Sequence, residues 1–211
     1  HIVDRIISNG INDFVVIVGF QKEKIIDLLK KEYPQINFRF IENPIYDRTN
    51  TLYSMFLARD EVKKNGFIYF HADVLFNKNI VKKLLDKKYK NGAVVEVHRE
   101  SMEAFGFDGI ITRISKKKDA IGKALGIYKF STDAGERIFD EAKKVIDSGD
   151  FNAFQSEAIN PTIIHHRMDI ISTDGLSWFE VDDESDLIEA ERILNKIIKE
   201  ESQENVRNNW I

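Results

Sequence analysis

The chain has 211 residues, a formal net charge of −4 at pH 7, 43% hydrophobic residues and no cysteine. This length and composition are typical of one soluble globular domain, and the acidic balance argues against a nucleic-acid partner held by bulk electrostatics. The lack of cysteine excludes disulfides, thiolate chemistry and cysteine-based zinc sites, and it fits a reducing, cytoplasmic location. No apolar run reaches membrane-spanning length, so membrane insertion is not expected.

The first part of the chain alternates predicted helices with predicted strands. Apolar residues recur at helical spacing in some segments and form short buried runs in others. In chain order these are a helix from residue 2 to about 8, a strand at 14–18, a helix at 21–33, a strand at 36–41, a helix at 51–63, a strand that ends near residue 73 and a short helix to about residue 89. This alternation predicts an α/β fold with a Rossmann-like, doubly wound and mostly parallel sheet.

The second part has a different pattern, with strands at 93–97, 109–114 and 124–130 that no long helix separates. This favours a mixed or antiparallel extension of the sheet. A helix at 133–148 follows, then a segment at 150–161 without a clear pattern, then one or two edge strands at 163–171. The closing helix, 184–199, has five apolar residues expected to face inward: Leu187, Ala190, Leu194, Ile197 and Ile198. We expect one domain, residues 1–200, and a polar tail, residues 201–211.

Asp73 lies at the end of the apolar run that begins at Ile68. Open α/β sheets bind ligands at the carboxyl ends of their strands. A hard cation such as Mg²⁺, when it bridges phosphate oxygens, needs a rigidly held carboxylate in that crevice. Asp73 is therefore a candidate metal ligand. An aspartate that caps the following turn is the alternative that this segment alone leaves open.

Glu180 and Asp182 form a second acidic strand end. Strand side chains alternate with period two, so these two carboxylates project from the same face. One fold could bring this pair together with Asp73 around one metal ion. Capping of the helix that starts near Asp183 is the other interpretation of these acidic residues, and spacing alone does not choose between Glu180 and Asp182.

Four segments carry a resemblance to a known family: residues 11–20, 46–54, 69–76 and 178–182. Their order and spacing resemble nucleotidyltransferases of the nucleoside-diphosphate-sugar pyrophosphorylase type. The likeness is greatest to the bacterial choline-phosphate cytidylyltransferases. It covers almost the whole chain, and it implies a nucleotide-diphospho-sugar transferase fold.

The chain departs from this family at its start. The family opens with a strand, a glycine-rich loop that contains an arginine, and a Pro-Lys pair, whereas His1 matches the helix that follows them. We expect the real polypeptide to carry such residues before His1, or another chain to supply the missing strand. A monomer that begins at His1 is expected to be unstable and inactive.

The resemblance implies an enzyme that transfers a nucleotidyl group from CTP to a phosphorylated small molecule, with Mg²⁺ between the reacting phosphates. Asp73 and Asp182 are then the expected catalytic and metal-binding residues, with Glu180 as the rival of Asp182. His71, two residues before Asp73 on the same strand face, is expected to be a packed core histidine. The partners are the nucleotide and the acceptor, and an oligomer is possible.

The resemblance also places Asn50 and Ser54, one helical turn apart, on the nucleotide side together with Asp73. A plain helix N-cap is an equal alternative for Asn50. Arg99 is expected to contact the acceptor's phosphate, and the alternative is a solvated charge at a strand end. The same two alternatives apply to Lys129. A choline headgroup would bind ring faces, for which Tyr128 and Trp178 are candidates. The other candidate rings are Phe105, Phe107 and Phe154.

Two other functions stay open. The chain could be a sugar-1-phosphate nucleotidyltransferase that uses UTP or dTTP, since the acceptor could be phosphocholine, an aminoalkylphosphonate, a phosphorylated amide or a sugar phosphate. It could also be a non-catalytic, nucleotidyltransferase-like binding module. A dinucleotide oxidoreductase is disfavoured, because no predicted strand is followed by a G-x-G-x-x-G motif.

Overall fold

The computed structural model of the protein describes residues 1–62, 64–97, 109–115 and 122–208, with side chains as far as residue 203. Its helices are α1 (Ile2–Ile7), α2 (Lys22–Glu32), α3 (Thr51–Leu57), α4 (Arg59–Val62), α5 (Lys78–Leu84), α6 (Thr132–Asp147), α7 (Ser156–Ile163) and α8 (Leu187–Asn208). Its strands are β1 (Asp13–Val18), β2 (Asn37–Glu42), β3 (Phe67–Phe70), β4 (Val74–Phe76), β5 (Gly92–Val97), β6 (Gly122–Phe130), β7 (Asp169–Ser172) and β8 (Trp178–Glu180).

The strands of the described residues form three hydrogen-bonded groups. β1 and β2 are parallel and are connected by α2. The largest group has the order β3-β6-β5-β7, in which β5 and β7 are parallel and the other neighbours are antiparallel. β4 pairs antiparallel with β8. A parallel β-α-β unit beside a mixed sheet is the doubly wound architecture, with an antiparallel extension, that the sequence predicts.

The four-stranded sheet is buried on both faces. Successive side chains of a strand point to opposite sides of the sheet, and those of β5 contact two different clusters of buried residues. Ala93 and Val95 of β5 pack on one side against buried residues of α3, α6 and α7. Val94, between them, packs on the other side against buried residues of α1, β4 and α5. This double burial holds the ends of β3 and β6 in fixed positions beneath the candidate site.

Two adjacent glutamates of α8 fasten the helix to the β4–β8 pair. Glu200 accepts hydrogen bonds from Asn77 Nδ2 at 3.1 Å and from Ser177 Oγ at 2.6 Å. Glu201 pairs with the buried Arg5 of α1, with 3.2 Å between Oε1 and Nε. The end of α8 therefore joins α1, the start of α5 and the segment that leads into β8.

The closing helix, α8, buries fewer of its apolar residues than the sequence predicts. Ala190 and Ile197 are buried, but Leu187 and Ile198 are 57% and 49% exposed. The helix packs against β4 and β8 along one side, so its buried stripe is narrower than its apolar pattern. It also continues through Asn208, beyond the start of the predicted tail. Neither α8 nor any other helix in the described ranges is long and apolar enough to cross a bilayer.

The prediction of a strand at 109–114 is wrong. The segment makes an isolated β-bridge between Ile110 and Asp169. The side-chain amide of Asn160 forms hydrogen bonds with both backbone groups of Ile114. Its Oδ1 accepts from the Ile114 N–H at 2.8 Å, and its Nδ2 donates to the Ile114 carbonyl at 2.9 Å. A side chain thus replaces the neighbouring strand that an extended segment needs for its hydrogen bonds.

We expect Glu200→Ala to lower the free energy of unfolding by about 1–3 kcal/mol, because it removes the acceptor of two buried polar side chains. Asn77 and Ser177 are 1% and 6% exposed. Denaturant titration followed by circular dichroism measures the effect. Glu191→Ala, at an exposed position of the same helix, is the matched control and should change stability by less than about 0.5 kcal/mol. Equal, small effects of the two variants would contradict this role of Glu200.

Candidate functional site

Three side chains with metal-ligating atoms meet at the ends of β3, β4 and β8. His71 follows β3, Asp73 precedes β4, and Glu180 is the last residue of β8. One ligand atom from each lies within 4.8 Å of the other two. We call His71, Asp73 and Glu180 the ligand cluster. It sits at the carboxyl end of β3, where the sequence places a ligand crevice.

The pairing of β4 with β8 sets the position of both carboxylates. Val74 lies opposite Glu180 in the antiparallel register. The backbone N–H of Val181 then donates to the Asp73 carbonyl oxygen at 2.9 Å, which extends the ladder by one residue beyond β4. Asp73 and Glu180 therefore come from adjacent, hydrogen-bonded strand ends. The Asp73 side chain is 49% exposed and that of Glu180 is 27% exposed, so both are open to solvent.

A glycine directly beneath His71 allows its imidazole to reach the cluster. The His71 N–H donates to the Gly126 carbonyl at 3.0 Å, which continues the β3–β6 ladder. A Cβ on Gly126 would lie 2.5 Å from His71 Cγ, and the φ of Gly126 is +71°. Burial lowers the pKa of His71, although the charges of Asp73 and Glu180 act to raise it. A neutral imidazole is therefore favoured near pH 7, and a neutral imidazole can bind a metal.

Gln155 connects the ligand cluster to the start of α3. Its Nε2 lies 3.1 Å from His71 Nε2. Its Oε1 accepts a hydrogen bond from Thr51 Oγ1, and its backbone N–H donates to the same hydroxyl at 3.2 Å. Gln155 is buried and also hydrogen-bonds the Tyr128 side chain. Sequence reasoning misses Gln155, because it lies in the segment 150–161 that has no clear periodicity.

A second buried amide, Asn43, organises the loop before α3. Its Nδ2 donates to Thr49 Oγ1 at 2.8 Å and to Ser54 Oγ at 3.2 Å, while its Oδ1 accepts from the backbone N–H of Ile45 at 3.1 Å. Asn43 is 2% exposed. The Asn-Pro pair directly after β2 is the sequence signal that could have found this turn.

Asn50 is a helix N-cap, since its Oδ1 accepts from the Thr51 N–H at 2.8 Å. Asn50 and Ser54 are both half-buried. The Ser54 hydroxyl accepts from Asn43, as described above, and it keeps its own proton as a donor. The structure thus places both residues on one side of α3, next to the loop that Asn43 holds.

A lysine from β6 faces the other side of the cluster. Lys123 Nζ lies 2.9 Å from Glu180 Oε2 and 5.1 Å from the centre of the Trp178 ring. Lys123 is 54% exposed. An ammonium group is therefore held between a carboxylate and an indole face, the combination that also binds substituted ammonium groups. The sequence patterns do not single out Lys123.

The structure places Asp182 outside the ligand cluster. Its side chain is exposed, and its backbone N–H donates to Asp186 Oδ2 at 2.8 Å. Asp183 caps the following turn, where its side chain accepts from the Ser185 N–H at 2.7 Å. Of the two acidic residues left open by the spacing, Glu180 is the one that approaches Asp73.

The remaining predicted residues have different surroundings. Tyr128 is 2% exposed and stacks on Phe130, so it packs in the core. Lys129 Nζ donates to the carbonyls of Leu84 and Asp86, at 2.8 and 3.3 Å, away from the cluster. Phe154 is 38% exposed. Arg99, Phe105 and Phe107 lie outside the described residues.

The donor set of the ligand cluster fits a divalent cation. Two carboxylates and one imidazole offer two negative charges and one neutral nitrogen. At bond lengths of about 2.0–2.3 Å, two ligand atoms of one ion lie about 3 Å apart in cis positions and at most about 4.6 Å apart in trans positions. The ligand atoms of the cluster lie within 4.8 Å of one another, so small side-chain movements would bring them around one ion.

No protein-family model matches the chain. The chain is 27% identical to the bifunctional protein GlmU of Methanococcus maripaludis over 96% of its own length, and it spans 48% of that relative. It is 25% identical to the choline-phosphate cytidylyltransferase of Streptococcus pneumoniae, over 89% of the chain and 80% of the relative. The predicted resemblance to the nucleotidyltransferases, a class of enzymes, is confirmed.

The fold is found in a solved nucleotidyltransferase structure. The inositol-1-phosphate CTP transferase from T. maritima matches with a TM-score of 0.74 at 16% identity, over 92% of this chain and 80% of that one. At this level of identity the match bears on the fold alone. It confirms the predicted α/β architecture.

We expect Gly126→Ala to disturb the cluster, because the added Cβ would collide with His71 on top of the strain at positive φ. Gly149→Ala is the matched control, since Gly149 also has positive φ (+91°) but no atom lies within 4 Å of the position that its Cβ would take. We expect Gly126→Ala to cost about 1–3 kcal/mol more than Gly149→Ala in denaturant unfolding. Equal costs for the two variants would show that the contact with His71 is not tight.

Proposed function

We propose that the protein transfers a cytidylyl group from CTP to a phosphorylated small molecule and releases pyrophosphate. The observation that carries this proposal is the ligand cluster, in which Asp73 and Glu180 meet beside the loop that Asn43 organises. The similarity to a choline-phosphate cytidylyltransferase supports it. Asp73 and Glu180 would hold a divalent cation, Mg²⁺ in the simplest case.

In this reaction an oxygen of the acceptor's phosphate attacks the α-phosphorus of CTP. The bond from that phosphorus to the oxygen that bridges to the β-phosphate breaks, and pyrophosphate leaves with the electron pair. A bound dication would supply positive charge to phosphates that otherwise repel each other. Asp73 and Glu180 would fix its position through β4 and β8. No proton transfer by a protein side chain is needed, because the attacking oxygen is already anionic.

The nucleotide would lie against the start of α3. Asn50 and Ser54 are half-buried there, and Thr51 connects through Gln155 to His71. Polar groups on a fixed loop can bond to a base or a ribose without rearrangement, which reduces the entropy cost of binding. This arrangement supports a role for Asn50 and Ser54 in orienting the nucleotide relative to the ligand cluster.

The acceptor would lie on the side of Trp178. Its ring face already holds the Lys123 ammonium at 5.1 Å, which indicates that a cation can reach the face. A quaternary ammonium binds such faces well, so phosphocholine is the first acceptor to test. Lys123 would be available to the acceptor's phosphate.

Transfer to a sugar 1-phosphate from UTP or dTTP is the second candidate. Not every relative of the chain is a cytidylyltransferase by name, since the bifunctional protein GlmU matches over 96% of this chain and 48% of its own length. The ligand cluster serves this reaction as well as the first, because both join a nucleoside triphosphate to a phosphate. Nucleotide and acceptor preference therefore decide between them.

We expect Asp73→Asn and Glu180→Gln each to lower kcat by about 100-fold or more, since each removes a charged ligand of the proposed cation. Asp182→Asn should retain most activity. Release of pyrophosphate in the full-length protein, measured with a coupled assay, gives the rates. Glu184→Gln, a neighbouring exposed carboxylate, is the control for the change of charge. A large loss in Asp182→Asn with little loss in Glu180→Gln would reverse the assignment of the second carboxylate.

We expect CTP to be preferred among CTP, UTP, ATP and GTP when phosphocholine is the acceptor. The same screen with dTTP and with sugar 1-phosphates tests the second candidate. Exclusive use of UTP or dTTP with a sugar phosphate would reject the cytidylyl proposal. Nucleotide binding without turnover for every pair would instead support a non-catalytic binding module.

A further inference from the structure

His71 is the unexpected member of the ligand cluster. Its side chain is 17% exposed, and its Nδ1 lies 4.0 Å from Asp73 Oδ1. The sequence predicts a packed core histidine at this position, but the structure turns its ring toward two carboxylates. An imidazole nitrogen, unlike a carboxylate oxygen, distinguishes between classes of dication.

The imidazole is fixed in place before any ion binds. Gly126 leaves room for the ring directly over β6, where a Cβ would come within 2.5 Å of His71 Cγ. The Tyr69 ring meets it edge-on, with 5.5 Å between centroids and 85° between planes. Gln155 contacts its far nitrogen, Nε2, at 3.1 Å. A ring held on three sides loses little freedom when it binds an ion.

The side-chain amide of Gln155 can form a hydrogen bond with His71 Nε2 whether or not that nitrogen carries a proton. A metal-bound histidine usually donates its other ring N–H to a fixed acceptor. A half-turn of the Gln155 amide would direct Oε1 to His71 Nε2–H and the amide N–H₂ to Thr51 Oγ1, which can accept as well as donate. Both arrangements keep the Gln155 amide hydrogen-bonded to His71 and to Thr51, so Gln155 is compatible with ligation of a cation by His71 Nδ1.

We propose that His71 is the third protein ligand of the cation site, and that the site therefore selects a transition-metal dication such as Mn²⁺ over Mg²⁺. Mg²⁺ favours an all-oxygen shell, whereas first-row transition ions accept imidazole together with carboxylates. Asp73 and Glu180 attract both kinds of ion through charge. His71 adds an interaction that benefits the transition ion. This inference rests on the proposed function, since it names the cation class of the same site.

Mn²⁺ binding to the full-length protein, with no nucleotide present, tests the proposal. The electron paramagnetic resonance signal of free Mn²⁺ falls as the ion binds, and competition by Mg²⁺ gives the affinity for Mg²⁺. We expect His71→Ala to weaken Mn²⁺ binding by about 10-fold or more, and Mg²⁺ binding by less than about 3-fold. His165→Ala, at an exposed position, is the matched control and should change neither affinity.

Electron spin-echo measurements give a second readout, whose first part does not depend on how a variant folds. Mn²⁺ bound to the unaltered protein should show coupling to a directly bonded nitrogen. The His71→Gln variant should lack that coupling. Absence of nitrogen coupling, or equal Mn²⁺ affinities in the His71→Ala variant and the unaltered protein, would overturn the proposal. Mn²⁺ binding no tighter than Mg²⁺ binding would overturn it too.

The outcomes separate this inference from the proposed function. Mn²⁺ binding that depends on His71, in a protein that transfers no nucleotidyl group to any acceptor, would sustain the metal site and reject the enzyme. Turnover that responds to Asp73→Asn, with no nitrogen coupling, would sustain the enzyme and reject His71 as a ligand.

Discussion

Asp73 and Glu180 are far apart in the chain, and the antiparallel pairing of β4 with β8 brings them together. The hydrogen bond from Val181 N–H to the Asp73 carbonyl, at 2.9 Å, closes that pair at the site itself. Glu200 secures the same pair from the side of α8 through Asn77 and Ser177. Short strands form few ladder bonds, so the pair depends on this additional anchoring. The candidate site therefore depends on contacts that lie well outside it.

Neutral amides connect the parts of the site. Asn43 holds the loop before α3, and Gln155 joins Thr51 to His71. Each amide is both a donor and an acceptor, so one side chain can satisfy two different segments without adding charge. Gln155 therefore offers a route by which movement at the start of α3 would reach His71.

The sequence predicts the fold and the location of the site better than its individual contacts. An apolar run that ends in Asp73 marks a strand end, whatever its partner. Alternation with period two places Glu180 and Asp182 on one face, so the choice between them depends on the β4–β8 register, a long-range property. Gln155 lies in a segment without periodicity. In α8 the apolar pattern predicts an inward Leu187 that is 57% exposed, because a pattern shows which face is apolar and not how much of that face is covered.

The contact between Lys123 and Glu180 makes the ligand cluster a partly neutralised site. The ammonium lies 2.9 Å from Glu180 Oε2 and offsets the repulsion between Glu180 and Asp73. A dication that took Glu180 Oε2 as a ligand would replace this tethered counter-ion, so its binding would be an ion exchange within the protein. The ammonium would remain on β6, close to the Trp178 ring. Occupation of the cation site would in that case leave a positive charge free to meet an anion beside the indole.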